Sequence, residues 1–366
     1  MDQKIPYINL SAQWEDEKND LLPIIENVLR SGQYILGQEV ENFETLVKEH
    51  FKVKYCVALN SGTDALILGL YALGIRAGDE VITPPNSFIA STSAITHIGA
   101  KPVFVDVKPD QNLDPMKIEL AITNKTKAIM PVHLTGRVCE MDVIIEIARK
   151  NDLVVIEDAA QSAGSKYLEK YSGDWGDIGC FSAHPLKNLN ACGDAGFITT
   201  DNESISESIK LMANHGLMDR DTVTRFGIVS RMDAIQAAVL SFRIKKLSEV
   251  VELRRKNASL YFELLKTDNI FIPPETKDEF NSYHTFVIQA QDRDCLKEHL
   301  MKKGIETAIH YPIPIHKQPA CKAYNAEIYP NTEKQSKRIL TLPIHQHLSS
   351  QEISIISQEV NNFYKK

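Results

Sequence analysis

The sequence predicts an α/β fold: a large domain built on a mostly parallel seven-stranded sheet, followed by a smaller α+β domain. Three observations lead there. From Val53 to Thr200, short apolar segments alternate with amphipathic helical ones. Most of the short segments are continuous β-branched runs, as expected when both faces of a strand are covered. After about residue 240 the rhythm changes to a long charged helical stretch with a different order of elements.

In chain order, the first strand is expected at YCVAL (55–59), running through Ser61-Gly62-Thr63 into a helix whose apolar spacing shows in ALILGLYALG (65–74). Further strands are expected at EVITP (80–84), PVFVDV (102–107), AIMPVH (128–133), LVVIED (153–158), GCFSA (179–183) and GFITT (196–200). MDVIIEIARKN (141–151) carries helical spacing between two of them. A strand–helix alternation of this kind builds a parallel sheet with helices on both faces. Beyond it come a charged helix at 245–267, a loop with Pro273 and Pro274, a strand at YHTFVIQA (283–290), a helix at 294–304 and another strand. The expected division is 1–244 for an N-terminal arm and large domain, and 245–366 for the smaller domain.

The 366 residues are 43% hydrophobic and 24% charged, ordinary values for a globular chain of two domains. A net charge of −7 argues against a nucleic-acid partner, although a local basic pocket for a phosphorylated metabolite is compatible with it. No apolar run approaches a membrane span, so no membrane insertion is expected. The N-terminus MDQKIPYINLSAQWEDE lacks a basic start followed by an apolar stretch. Cys56, Cys139, Cys180, Cys192, Cys295 and Cys321 are scattered without a C-x-x-C pair, the pattern of reduced thiols. The expected location is the cytoplasm.

Ligands of open α/β sheets bind beyond the carboxyl ends of the strands, and three clusters sit there. In LNSGTDAL (59–66), Gly62 permits close backbone approach and the helix N-terminus after it attracts an anion. A simple helix cap by Ser61 or Thr63 accounts for the same residues. In VVIEDAAQSAG (154–164), Asp158 and Gln161 follow a buried strand, where a carboxylate is costly unless paired. A protonated heterocyclic nitrogen is one partner; a helix cap or a structural salt bridge is the alternative. In CFSAHPLKNLNACGDAG (180–196), Ser182 ends a strand and Lys187 follows a His-Pro-Leu turn in a segment whose only other charged residue is Asp194. Most lysines are solvated surface residues, but one in a drier loop can lose its proton and attack a carbonyl. Together the clusters supply a phosphate cradle, a ring-nitrogen acid, a hydroxyl and an amine, the set that pyridoxal phosphate requires.

SGTDAL, PPNSFIAS (84–91), VIEDAAQSAG, FSAHPLKN and RMDAIQAA (231–238) resemble the DegT/DnrJ/EryC1/StrS family of sugar aminotransferases, from GQYILGQEVENFE (32–44) to RILTLPIHQHLSSQEI (338–353). The resemblance implies a fold-type I enzyme that uses pyridoxal 5′-phosphate. Lys187 becomes the Schiff-base lysine and proton shuttle, and Asp158 the partner of the pyridine nitrogen. Gln161 is placed on the phenolic oxygen and Phe88 on the ring face, where an ordinary core aromatic is the other reading. Gly62, Thr63 and Ser182 are placed on the phosphate. The family is also dimeric, with active sites at the subunit interface. Val229 departs from its pattern: an asparagine usually stands two residues before the arginine of RMDxxQAA and reaches the neighbouring subunit's cofactor phosphate. Ser230 or Arg231 is the expected substitute. Ala195 stands where glycine is commoner.

The implied reaction moves an amino group from L-glutamate to a nucleotide-linked keto sugar. GIETAIHYPIPIHKQPA (304–320) is similar to the family's version in enzymes of 3-keto nucleotide sugars and points to a UDP-linked 3-keto hexose, with a 4-keto sugar as the alternative. Arg231, His310, Tyr311 and His316 are the candidate substrate contacts, set against ordinary structural histidines. The histidines lack metal-ligand spacing, so no metal is expected. Two other functions compete. A dehydratase of the same fold replaces the lysine by histidine, which Lys187 contradicts. A non-catalytic, cofactor-binding regulator is the other alternative. The product implied is an amino sugar for a surface polysaccharide or lipopolysaccharide.

Overall fold

The computed structural model of the chain describes residues 4–324 and 328–365. Seven strands form the central sheet: β1 (Tyr55–Leu59), β2 (Glu80–Thr83), β3 (Lys101–Phe104), β4 (Thr126–Ile129), β5 (Val154–Asp158), β6 (Ile178–Ser182) and β7 (Gly196–Thr200). Their order is β1-β7-β6-β5-β4-β2-β3. β7 runs antiparallel to β1 and β6, and the remaining pairs are parallel. The sheet is thus mostly parallel and seven-stranded, as the sequence predicts.

Helices cover both faces. On one side, α3 (Gly62–Ala72) is buried continuously from Ala65 to Leu70 and packs with Ile156, Ile178, Cys180 and Ile198. A helix apolar all round belongs in such an interior position. On the other side, α2 (Gln38–Phe51) presents Val40, Phe43, Val47 and Phe51 at helical spacing to Phe181 and Phe197. Those two rings stack with centroids 4.6 Å apart. Arg243, in α7 (Ala234–Ile244), pairs with Glu17 of α1 (Leu10–Ser31) at 2.6 Å and ties the N-terminal helix to this face.

A second, antiparallel sheet joins β8 (Ile270–Phe271), β9 (Phe286–Ala290) and β10 (Ile339–Leu342). It has its own core, in which Tyr261 of α8 (Leu247–Leu264) stacks on Phe286 at 4.7 Å. The N-terminal segment reaches this core, because the Ile5 amide donates to the Gly304 carbonyl at 2.9 Å and Ile5 is buried there.

Several strands start or stop inside their expected bounds, the strand expected over 128–133 ending at Ile129 among them, and two of the differences have a clear cause. The strand expected over 102–107 ends at Phe104, since Asp106 turns to accept hydrogen bonds from the Asn331 and Thr332 amides, each at 3.0 Å. The strand expected from Tyr283 begins at Phe286, because Tyr283 has φ 45° and the Tyr283 and His284 carbonyls accept from Arg254 instead of a neighbouring strand. No helix among the described residues is long and apolar enough to cross a membrane.

Candidate active site

The sheet brings the three sequence clusters to one edge. Leu59 and Ser182 both pair with Gly196, and Asp158 pairs with Cys180. The ends of β1, β5 and β6 and the start of β7 therefore lie side by side. Backbones crowd here: a Cβ on Gly196 would sit 2.3 Å from the Ser61 carbonyl carbon, and one on Gly62 2.7 Å from Ser182 Cβ. Only glycine fits either place.

Beyond this edge is a cavity of about 370 Å³. Ser61, Gly62, Thr63, Phe88, Asp158, Gln161, Ser182, Lys187, His310 and Tyr311 all line it. At its α3 end the Ser61 hydroxyl caps the helix by accepting from the Asp64 amide at 3.1 Å. The cap reading of this segment is therefore correct, and the anion reading survives beside it. The amides of the first helical residues, Gly62 and Thr63, have no intrahelical acceptor, and the helix dipole favours negative charge there.

Lys187 is held by a closed loop. The Ala183 amide donates to the Ala195 carbonyl (2.8 Å) and the Ala191 amide to the Ala183 carbonyl (2.7 Å). Asn190 exchanges hydrogen bonds with Gln13 of α1, and its carbonyl accepts from Arg243 at 2.8 Å. Gln236, from RMDAIQAA, accepts from the Cys192 amide at 2.8 Å. The motif thus buttresses the lysine loop. Burial pushes the Lys187 ammonium down to about 8, against the pull of Asp158 in the other direction.

Asp158 is buried at the end of β5. Oδ2 accepts from the Ser91 hydroxyl at 2.6 Å and Oδ1 from the Ala160 amide at 3.2 Å. Burial raises its proton affinity, opposed by those two donors and by Lys187. No hydrogen-bonded cation neutralises it among the described residues, so the structural salt-bridge alternative is absent. Gln161 accepts from the Thr135 amide at 2.9 Å and lies beside the Tyr311 hydroxyl. Phe88 is 54% exposed although it lies inside the site, and its ring centroid is 5.7 Å from that of Tyr311. An aromatic left open in a cavity is not a core residue, which answers the other reading of Phe88.

His310 also lines the cavity and bonds to Thr341 Oγ1 at 3.0 Å; burial and Lys187 push it down to about 4. His316 does not reach the cavity. It is fully buried, bonded to Glu333 at 3.2 Å and packed edge-on against Tyr329 at 4.8 Å. Arg231 does not line it either, and spends Nη1 on Asn214 at 2.9 Å. Ser230 is buried and donates to Asn60 at 3.2 Å, while Val229 is half exposed and bridges to Asn214. Within one chain, Ser230 is thus engaged elsewhere, and Arg231 has Nη1 engaged while its buried Nε has no partner among the described residues. No cluster of His, Cys, Asp and Glu able to hold a metal occurs among the described residues.

Several residues at the site lack a role in the sequence reading. Ser91 had a usable signal: it lies in PPNSFIAS, in the first turn of α4 (Ile89–His97) and three positions after Phe88, the residue at the N-cap of that helix. His284 had none. It reaches the cavity because Arg254 pins its carbonyl at 3.2 Å, and its Nδ1 is buried without a partner among the described residues. Burial and the positive charges of Lys187 and Arg254 hold this ring well below the usual histidine range. Tyr7, His184 and Asp194 add polar groups to the wall.

The model of the DegT/DnrJ/EryC1/StrS aminotransferase family matches residues 15–361. A UDP-2-acetamido-2-deoxy-3-oxo-D-glucuronate aminotransferase of Pseudomonas aeruginosa is 38% identical over 359 residues, 98% of this chain and 100% of that one. A dTDP-3-amino-3,6-dideoxy-alpha-D-galactopyranose transaminase of Aneurinibacillus thermoaerophilus is 40% identical over 362 residues, 98% of this chain and 99% of that one. Among solved structures, S. venezuelae DesV in complex with a ketimine intermediate superposes with a TM-score of 0.96 at 36% identity, covering 99% of each chain.

Proposed function

Because this chain belongs to the DegT/DnrJ/EryC1/StrS aminotransferase family, whose fold and pyridoxal-phosphate dependence it shares, we propose that it transfers the amino group of L-glutamate to a nucleotide-linked 3-keto hexose, with Lys187 as the reacting lysine. One observation carries the reading: a lysine pushed down to about 8 shares a cavity with a buried acid that lacks a cation.

The residues present fit the cofactor. Asp158 offers a buried carboxylate to a protonated ring nitrogen, and an ion there offsets the cost of burying the acid. Gly62 and Thr63 offer amides to a phosphate, with Ser182 adjoining them. Phe88 offers an open ring face, and Gln161 an amide for the phenolic oxygen. When bound, the cofactor supplies an aldehyde that carries the amino group between substrates and a cationic ring that draws electrons from the reacting carbon. Lys187 Nζ, held near neutrality, takes the proton from the donor's α-carbon and later delivers one to the sugar carbon. Ser91 and Ala160 donate to Asp158 and favour its ionised form against the effect of burial.

Support for a 3-keto sugar comes from the His310-Tyr311 segment in the wall and from the 3-oxo substrate in the name of the Pseudomonas relative. UDP is the preferred nucleotide on the same ground. We read the protein as a homodimer with its sites at the interface. Phe226 is fully exposed, Met218 is 63% and Val223 56% exposed, all on one segment between Asn214 and Arg231, and a second copy would cover them. Arg231 lies on that segment and becomes a substrate contact only across such an interface.

The test is a purified-protein assay with pyridoxal phosphate, L-glutamate and 3-keto or 4-keto hexoses on UDP and dTDP, following 2-oxoglutarate and the amino sugar by mass. The 3-keto UDP sugar is expected to react fastest. Borohydride reduction followed by peptide mapping is expected to place the phosphopyridoxyl group on Lys187. An adduct elsewhere rejects the lysine; an adduct without turnover on any sugar favours a cofactor-binding regulator.

A further inference from the structure

Ser91 is completely buried, and its Oγ lies 2.6 Å from Asp158 Oδ2. An ionised carboxylate can only accept, so Ser91 donates its single proton to Asp158. Its oxygen is then left to accept, and Ser87 Oγ, also buried, lies 3.1 Å away. The charge on Asp158 therefore sets the direction of the last link in a chain from Ser87 through Ser91 to Asp158, while Ser87 has its own proton to give either to Ser91 or to the Phe88 carbonyl. The competing acceptor, the Phe88 carbonyl, is 3.4 Å from Ser91 Oγ and 3.0 Å from Ser87 Oγ. Both serines flank Phe88, so the chain joins two walls of the site: the exposed aromatic ring and the buried acid.

Among the described residues, Asp158 Oδ1 has a single donor, the Ala160 amide at 3.2 Å. We propose that Ser91 is a positioning residue: it fixes the Asp158 carboxylate through Oδ2, so that Oδ1 is the oxygen presented to the cofactor's ring nitrogen. Without that donor the carboxylate loses its shortest hydrogen bond and is free to rotate about χ2, a broad and soft torsion. After burial, the Ser91 hydroxyl is the largest influence on the Asp158 proton, and it favours the ionised form. The inference rests on the reading of Asp158 given above.

The experiment compares Ser91→Ala, Ser91→Thr and Asp158→Asn with the wild-type holoenzyme. It reads the dissociation constant of pyridoxal phosphate and the pH midpoint of the visible band of the lysine-bound cofactor. A hydrogen bond to a charged group makes Ser91→Ala bind the cofactor about tenfold or more weakly. The band midpoint moves upward, because a less well-held carboxylate leaves the ring nitrogen less protonated. Ser91→Thr keeps the hydroxyl and is expected to restore both values. If Ser91→Ala leaves both unchanged while Asp158→Asn shifts them, the positioning role is wrong and the reading of Asp158 stands. If Asp158→Asn shifts neither, that reading itself fails. Should Ser91→Ala not fold, Ser91→Cys keeps a side chain of similar shape with a weaker donor and is expected to raise the midpoint by less; no shift overturns the proposal.

Discussion

Lys187 and Asp158 face one cavity, and each opposes the shift that burial imposes on the other. Burial wins in both cases. The lysine drops to about 8, and the acid rises above its ordinary range.

A stability prediction follows from that imbalance. The folded-state value of Lys187 lies below its unfolded value of 10.5. Under pH 8 both states are protonated, and the cost of burying the charge is felt in full. Between pH 8 and 10.5 the unfolded chain binds more protons, so the wild-type protein gains stability as pH rises. Replacing Lys187 by Met removes this cost. The cofactor-free variant is expected to be more stable at pH 7, by at most roughly 3 kcal/mol, with the advantage shrinking from pH 8 upward. Urea denaturation of both proteins at pH 7 and pH 9.5 measures this, and a gain independent of pH rejects it. The same variant is expected to lose at least about 10²-fold in turnover.

Asp158→Asn replaces the acid by an amide of nearly the same shape that can no longer hold a ring proton. The expected result is a loss of about 10²-fold or more in kcat. An unchanged rate would make the carboxylate structural.

Gly62→Ala tests the crowding at the sheet edge. The added methyl meets Ser182 Cβ at 2.7 Å and Ser182 Cα at 3.0 Å, and neither atom can swing away. Such overpacking costs about 1–3 kcal/mol, and displacement of the loop weakens cofactor binding as well. Thermal unfolding and a cofactor titration are expected to move together.

The parallel sheet and the three clusters at its edge were legible because each rests on local signals: β-branched runs, a glycine beside a helix start, an acid ending an apolar run. The remainder depends on contacts between distant segments. Ser91 is 67 positions from Asp158, and His284 enters the site only through Arg254. His316 shows the converse. It lies in the same segment as His310, but the chain turns between them, and the two rings end in different surroundings.

His316 is accordingly expected to act on stability and not on the sugar. Its ring is wholly buried between Tyr329 and Glu333. His316→Ala is expected to destabilise the protein by about 1–3 kcal/mol, leaving the sugar KM within about twofold of wild type. His310→Ala, which changes the cavity wall, is expected to raise that KM. Equal effects of the two on KM would show that the segment works as one unit.

Val229→Asn tests the cross-subunit contact. Val229 is half exposed and carries no polar group, and Ser230 and Arg231 are bonded within their own chain. If the half-exposed side chain meets the partner's phosphate site in a dimer, an asparagine there adds one amide donor to an anion. That gain is about 1.5–3 kcal/mol when the donor is well aimed, a tightening of roughly tenfold or more in cofactor affinity. Because the contact exists only between subunits, the gain is expected to vanish on dilution below the dimer's dissociation constant. A titration at two protein concentrations reads both effects. No tightening in the dimer would mean that this segment does not reach the neighbouring site.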